Sequence, residues 1–347
     1  MPVTIDRPAA SSNMRVSDIF GARRRGGTIG DSGRRLKIGL VNNMPDSALA
    51  ATERQFCALL EAASGEIEVQ LRLYGLGQIA RSREAEERLA QRYADAGALR
   101  GQTLDALIVT GAQPLAPDLE QEPYWRALIS VIDWAEANTI STILSCLAAH
   151  AGVLHFSGIA RHRLPAKRSG VFAFDVAQDA LTAGAGRQWL MPHSRYNDLD
   201  EAELTRNGYG VLSRSAVAGV DMFARRTRSL FIFLQGHPEY DGDTLAREFR
   251  RDMSRYLNGD LESPPDLPEY YFSDEDERVL TSFQARARSE RRAETMAWFP
   301  ELRARGKADA PWRRPADLFY RNWLRFIVER KTELLQNAAA PAARWGG

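Results

Sequence analysis

The sequence is short of several things, and each shortage excludes a class of protein. Only two of its 347 residues are cysteine, Cys57 and Cys146. That rules out a disulfide scaffold and a zinc site built from several thiolates. No run of 18 or more apolar residues occurs, so no transmembrane helix is expected. The opening residues, MPVTIDRPAASSNMRV, lack a basic stretch followed by an apolar core, so no secretory signal is read there. Net charge is nearly absent. The 46 basic residues against 45 acidic ones leave +1, too little for a bulk field directed at nucleic acid or an anionic membrane. The expectation is a cytoplasmic protein that meets neither. No His, Cys and Asp residues fall at ligand spacing, so no metal is expected. Lysine is scarce too. Four of the 46 basic residues are lysine (Lys37, Lys167, Lys307 and Lys331), leaving 42 arginines. These are scattered among equally many acids, which reads as codon bias rather than a phosphate-binding surface. A lysine inside a motif is the less incidental for it.

What is present fits a large α/β core. Residues 1–35 are polar and rich in Arg, Gly and Ser, and read as a flexible arm. Beyond them, short apolar runs alternate with helical spacing. Lys37–Asn42, Ile67–Tyr74, Leu104–Val109 and Thr139–Leu144 read as strands. Ala48–Ala63, Ser82–Ala96, Tyr124–Glu136 and Leu147–Phe156 read as helices. Gly97 is the expected stop of the second helix. Four strand–helix repeats predict a doubly wound, mostly parallel sheet with helices on both faces. Function in such sheets gathers at the carboxyl ends of the strands. From about residue 169 the pattern changes. Gly170–Val176, Tyr209–Ala216, Val220–Ala224 and Leu230–Leu234 read as antiparallel additions, followed by a helix at Asp243–Leu257. Four regions result: the arm 1–35, a core 36–260, a charged helical C-terminal extension 261–335, and a disordered tail 336–347.

Two motifs can carry chemistry. Cys146 sits where a β-branched strand stops and a helix begins (TISTILS-C-LAAHAGVL). A side chain at that corner is lifted above the sheet, and the helix N-terminus beside it favours a thiolate. This is the setting of a nucleophile elbow. A buried structural cysteine is the bland alternative, and it is the reading for Cys57, which lies inside an amphipathic helix. The second motif is His237-Pro238-Glu239, at the end of the apolar run SLFIFLQG. In an extended segment, residues i and i+2 project to one side, so Glu239 can orient His237 and stabilise its imidazolium. His150 and His155 read as packing or surface residues. His193, in MPHSRYND, falls in a dense polar turn.

At these residues the sequence resembles a known family. LIVTGA at 107–112, EPYW at 122–125, Cys146 at its elbow, KRSGVF at 167–172, PHSRY at 192–196, GHPEYD at 236–241 and TLAREFRRD at 244–252 occur in register. Together they look like the homoserine O-acyltransferases of methionine biosynthesis, built on a class I glutamine-amidotransferase-like fold. The resemblance runs from about residue 36 to 258 and resumes weakly in APWRRPADLFYRNWLRFIV. It implies that Cys146 is the acyl-thioester nucleophile, His237 the general base and Glu239 its orienting carboxylate. Lys167, Ser194 and Arg251 match substrate-binding positions. An Arg fork at Arg251 suits a homoserine carboxylate. The backbone N–H of Leu147, with an amide from the loop holding Gly111 and Ala112, would form the oxyanion hole.

The sequence departs from the family in five places. Leu147 stands where the family has Trp. Asp46 and Ser47 replace a Lys pair, in a loop that appears two residues longer. GQIARSREAEERL replaces a Lys-Asn-Thr-like stretch, and residues 268–297 read as an added charged helix. At the acyl-selecting position the family has Glu with acetyl-CoA or Gly with succinyl-CoA, and here the residue is Leu115. Without a carboxylate there, succinyl is favoured over acetyl. The expected activity is homoserine O-succinyltransferase, by ping-pong transfer from succinyl-CoA to L-homoserine, with acyl-CoA as co-substrate and no cofactor. A homodimer is expected at the level of the family. The alternatives are an acetyl-CoA-dependent enzyme, a glutamine amidotransferase-like Cys hydrolase and a non-catalytic relative.

Overall fold

The computed structural model describes residues 3–6, 34–112, 114–302 and 310–339. The chain divides into two compact units. One comprises Met1–Leu144, Arg226–Ile232 and Tyr320–Gly347, and the other Ser145–Arg225 and Phe233–Phe319.

In the first unit, β1 (Val3–Asp6), β2 (Arg35–Val41), β3 (Glu68–Gly75), β4 (Ala94–Asp95), β5 (Ala106–Val109) and β6 (Ser141–Ser145) are the strands. They lie in the order β1-β3-β2-β5-β6, with β4 against the end of β3, and the pairings are parallel. Crossing between them are α1 (Asp46–Ser64), α2 (Arg83–Arg92) and α3 (Trp125–Asn138). Every residue of β5 and β6 is buried, as expected of parallel strands covered on both faces. The doubly wound reading of the sequence is therefore met.

Several boundaries differ from the sequence reading. Val3–Asp6, expected in the flexible arm, is an edge strand whose register runs Val3↔Val69 to Asp6↔Arg72. Backbone hydrogen bonding along an edge needs no apolar signal. The rest of that arm, residues 7–33, lies outside the described residues. The second helix stops at Arg92 rather than Ala96. Tyr93 is buried and extended, and the chain goes on into β4. Gly97 is therefore not the helix stop. Its N–H is instead taken by the Asp95 carboxylate at 2.7 Å.

The second unit carries the antiparallel strands: β7 (His162–Val176), β8 (Gln188–Asp198), β9 (Gly210–Ser215) and β10 (Gly219–Arg226, to Arg225 within the unit). Their order is β10-β9-β7-β8. The next strand, β11 (Leu230–Leu234), ends in this unit. Its helices include α4 (Leu147–Ser157), α5 (Glu201–Arg206), α6 (Thr244–Leu257) and α7 (Asp274–Ser289). Helix α4 ends at Gly158, whose left-handed φ of 67° closes it with a hydrogen bond back to Leu154. The polar turn expected around His193 is a correction, because that segment is the middle of β8, paired to β7 with Gly170↔His193. The signal was hidden because the inward positions of β8 include His193 and Arg195, both buried.

The C-terminal extension, expected as a charged helical region packing on the core, is shared between the two units. Helix α8 (Arg313–Ala339) passes from the second unit into the first at Tyr320. Within the first unit, Trp323 donates to Ser141 Oγ at 2.9 Å, and Lys331 pairs with Asp105 at 2.9 Å. The helix runs four residues into the stretch expected to be disordered. Residues 340–347 lie outside the described residues. Among the described residues, no helix is long and apolar enough to cross a membrane.

Candidate active site

Cys146 begins the second unit's site. Strand β6 ends at Ser145, and α4 begins at Leu147. Between them Cys146 takes φ 54° and ψ −115°, a region that L-residues avoid. Strain of this kind costs about 1–3 kcal/mol and persists only where the surroundings over-determine it. Here the Cys146 N–H donates to the Leu234 carbonyl at 2.7 Å, while its own carbonyl accepts from Ala149 at 3.0 Å. The corner is thus tied to the end of β11 on one side and to the first turn of α4 on the other. Cys146 is partly exposed, as is Cys57. Cys57, by contrast, sits within α1, where burial pushes its thiol up to about 11.

His237 follows the end of β11 by three residues. Its Nδ1 lies 2.8 Å from Glu239 Oε1, and both residues are buried. The extended segment read from the sequence is corrected here. Tyr240 donates its N–H to the His237 carbonyl at 3.1 Å, so residues 237–240 form a turn. Pro238 sits at the second position of that turn, where its fixed φ suits it. The His–Glu pair forms all the same. The imidazole is also within hydrogen-bonding reach of the Cys146 side chain. Burial works against the imidazolium, but the Glu239 carboxylate and the neighbouring Cys146 outweigh it and hold His237 well above the ordinary histidine value.

Beside this triad lies a balanced cluster of charge. Glu248, on α6, accepts from Tyr240 Oη at 2.8 Å and from the Ser194 hydroxyl. Lys167 Nζ stands 3.7 Å from Glu248 and 2.8 Å from Asp252. Arg251 donates to Asp252 through Nε at 2.9 Å. Burial raises the carboxyl groups of Glu248 and Asp252, but Lys167 and Arg251 together win and hold both below the usual range. Tyr240 stacks on His237 with ring centroids 4.3 Å apart, joining this cluster to the triad. Its phenol is pushed well up by burial and by Glu248 and Glu239.

Lys167, Ser194 and Arg251, singled out in the sequence, therefore meet in one cluster. Glu248, Asp252 and Tyr240 were missed. Their signal was present in two motifs already quoted. Glu248, Arg251 and Asp252 are spaced i, i+3 and i+4 on α6, which puts them on one face. Tyr240 is the fifth residue of GHPEYD. The other candidates divide between the units. Leu147 opens α4 in the second unit, whereas Gly111, Ala112 and Leu115 belong to the first. Leu115 is 73% exposed. Its N–H and that of Ala116 donate to the buried Glu122 carboxylate at 2.7 and 2.8 Å, so the EPYW motif anchors this loop. A cavity of about 360 Å³ in the second unit, lined partly by Arg247, Arg250 and Phe299, contains none of the site side chains.

The family model for homoserine O-succinyltransferase matches residues 2–334. The homoserine O-succinyltransferase of Methylorubrum extorquens is 49% identical over 298 residues, covering 86% of this chain and 88% of that protein. That of Rhodopseudomonas palustris is 49% identical, covering 84% of this chain and 88% of that protein. A solved structure of a glutamine amido transferase from Methylobacillus flagellatus is 16% identical with a TM-score of 0.49, covering 84% of this chain and 95% of that one.

Proposed function

Since the chain belongs to the homoserine O-succinyltransferase family, we propose that it transfers the succinyl group through Cys146, with His237 and Glu239 as its proton-transfer pair. The observation that carries this reading is the partly exposed, strained Cys146 within reach of an imidazole that is itself held by a carboxylate at 2.8 Å. Nucleophile, base and orienting group occur in that order of contact, which is the geometry of covalent acyl transfer.

In the first half-reaction, the Cys146 sulfur attacks the thioester carbonyl of succinyl-CoA, with its proton taken by His237. The tetrahedral intermediate collapses, the C–S bond to CoA breaks, and the CoA sulfur leaves with the proton from His237. One thioester is exchanged for another, so the step is nearly isoenergetic. In the second half-reaction, His237 takes the proton of the homoserine γ-hydroxyl as that oxygen attacks the Cys146 thioester. Collapse releases O-succinylhomoserine and returns the proton to the thiol. Glu239 fixes the tautomer throughout and balances the imidazolium.

L-Homoserine is a zwitterion, and the charged cluster suits both its ends. Its ammonium pairs with Glu248, and its carboxylate with Arg251 and Lys167, which stand beside it. The Ser194 and Tyr240 hydroxyls keep Glu248 aimed. The test is intact mass after mixing the protein with succinyl-CoA or, separately, acetyl-CoA, followed by a chase with L-homoserine. One succinyl adduct per chain, absent in Cys146→Ala and discharged by homoserine, is the expected result. An adduct that persists in Cys146→Ala would overturn the assignment of the nucleophile.

A further inference from the structure

Behind His237 lies a second buried histidine–carboxylate contact that the reaction does not use. Three consecutive N–H groups lead up to the catalytic imidazole, and each is held. Gln235 donates to the Asp221 carbonyl at 2.8 Å, Gly236 to Asp221 Oδ1 at 3.1 Å, and His237 to the Pro192 carbonyl at 2.9 Å. Asp221 therefore takes two of the three. It reaches them because β10 is irregular at this point: Val220 faces Arg214 and Met222 faces Ser213, so Asp221 is the extra residue of a bulge. A bulge re-aims a side chain that a regular strand would point elsewhere. The other oxygen of Asp221 accepts from Ser213 Oγ at 2.8 Å, which fixes the carboxylate plane.

His193 completes the contact from β8. Arg195 Nε donates to its Nδ1 at 3.2 Å, so the ring proton sits on Nε2. That nitrogen faces Asp221 Oδ1 at 3.3 Å. The ring is stacked on Phe174 with centroids 4.9 Å apart and is wholly buried. Burial lowers its pKa to about 4, so it stays neutral across the working range. Gly236 closes against this pair. A Cβ at that position would lie 2.6 Å from Asp221 Oδ1 and 2.8 Å from His193 Nε2. The backbone entering His237 thus rests directly on the His193–Asp221 contact.

We propose that His193 and Asp221 are positioning residues of the acyl transfer, forming a rigid seat that sets the distance of His237 from Cys146. The proposal rests on the reading of His237 as the base. A polar network kept only for packing would hold the fold together without touching the timing of proton transfer. A seat for the base would leave the fold and the substrate contacts alone and slow both half-reactions, because small displacements of a reacting group are costly in rate. The groups that set the titration of His237 are Glu239 on its own turn, Cys146 at the head of α4, Tyr240 and Glu248 on the α6 side, and His193 on β8. Loosening the seat weakens the His237–Glu239 contact, so the imidazole becomes the weaker base.

The experiment compares the wild-type chain with His193→Phe, which keeps a ring on Phe174 but loses the Nε2 donor, and His193→Gln, which restores an amide donor. Melting temperature, succinyl adduct per chain, the rate of adduct discharge by homoserine and its pH profile are read for each. The expected result for His193→Phe is an unchanged adduct stoichiometry, discharge slower by about 10- to 100-fold, KM for homoserine within about twofold of wild type, and an acid limb moved to lower pH. His193→Gln recovers most of the rate. Should His193→Phe fail to fold, Gly236→Ala, which crowds the same contact with one methyl group, takes its place and is held to the same result. Wild-type discharge in the variant, or a loss of rate with an unmoved acid limb and no recovery in His193→Gln, overturns the proposal. Failure of the acyl-transfer reading would be seen separately, as no adduct on the wild-type chain.

Discussion

Cys146 shows how a single residue can be poorly suited to its backbone and well suited to its task. Its φ of 54° is one that glycine tolerates and cysteine does not. Cys146→Gly should therefore be inactive yet more stable, by about 1 kcal/mol once the greater freedom of the unfolded glycine chain is set against the relieved strain. A melting temperature at or below that of Cys146→Ala would show that the corner is not strained. Glu239 makes a second prediction at this scale. Glu239→Gln removes the carboxylate that raises His237, so kcat should fall by about 10²- to 10⁴-fold. Discharge of the acyl-enzyme needs the neutral imidazole. With the histidine pKa lowered, the acid limb of the pH profile should move to lower pH, and an upward movement would contradict the assigned role. Glu248→Gln should raise KM for homoserine by more than about tenfold while leaving adduct formation from succinyl-CoA intact. A loss of adduct formation would place Glu248 on the donor side instead.

At the scale of elements, legibility followed burial chemistry. β5 is a continuous apolar run and β6 a fully buried strand with Thr142, Ile143 and Leu144 at its centre, and LDALIV and TISTIL announced them. The helix after Cys146 was equally plain, read as Leu147–Phe156 against an observed end at Ser157. β8 was not legible, although its period of two is intact: Met191, His193 and Arg195 all point inward. The pattern rule expects apolar residues at inward positions, and two of these three are polar: Arg195 bonds to His193 and to the Asn197 and Ala218 carbonyls, and His193 faces Asp221 on β10. The same reason separates the site residues that were found from those that were missed. Cys146 and His237 stand at ends of apolar strands, whereas Glu248 and Asp252 sit in a charged helix where one carboxylate looks like any other. Helix α8 offers the test at this scale. Trp323 is fully buried and donates to Ser141 Oγ at the start of β6. Trp323→Ala should cost about 3–5 kcal/mol, read as a fall in the denaturant midpoint. A change within about 0.5 kcal/mol would mean that α8 contributes little to the first unit.

For the whole molecule, the sequence order of the strands gave the parallel sheet, but not the division of the chain. A linear reading separates a core from a C-terminal extension, and contacts do not respect that order. The first unit draws on three separated stretches, the last of them beginning at Tyr320. The second needs nothing beyond Phe319. On the ribosome, the unit that is encoded first is thus the one completed last. When Phe319 has been added, every residue of the second unit has been made, while the first still waits for Trp323 and Lys331. Domains fold as their residues become available, so a released chain truncated after Phe319 should resist protease across its Cys146 unit and be cut within residues 34–144.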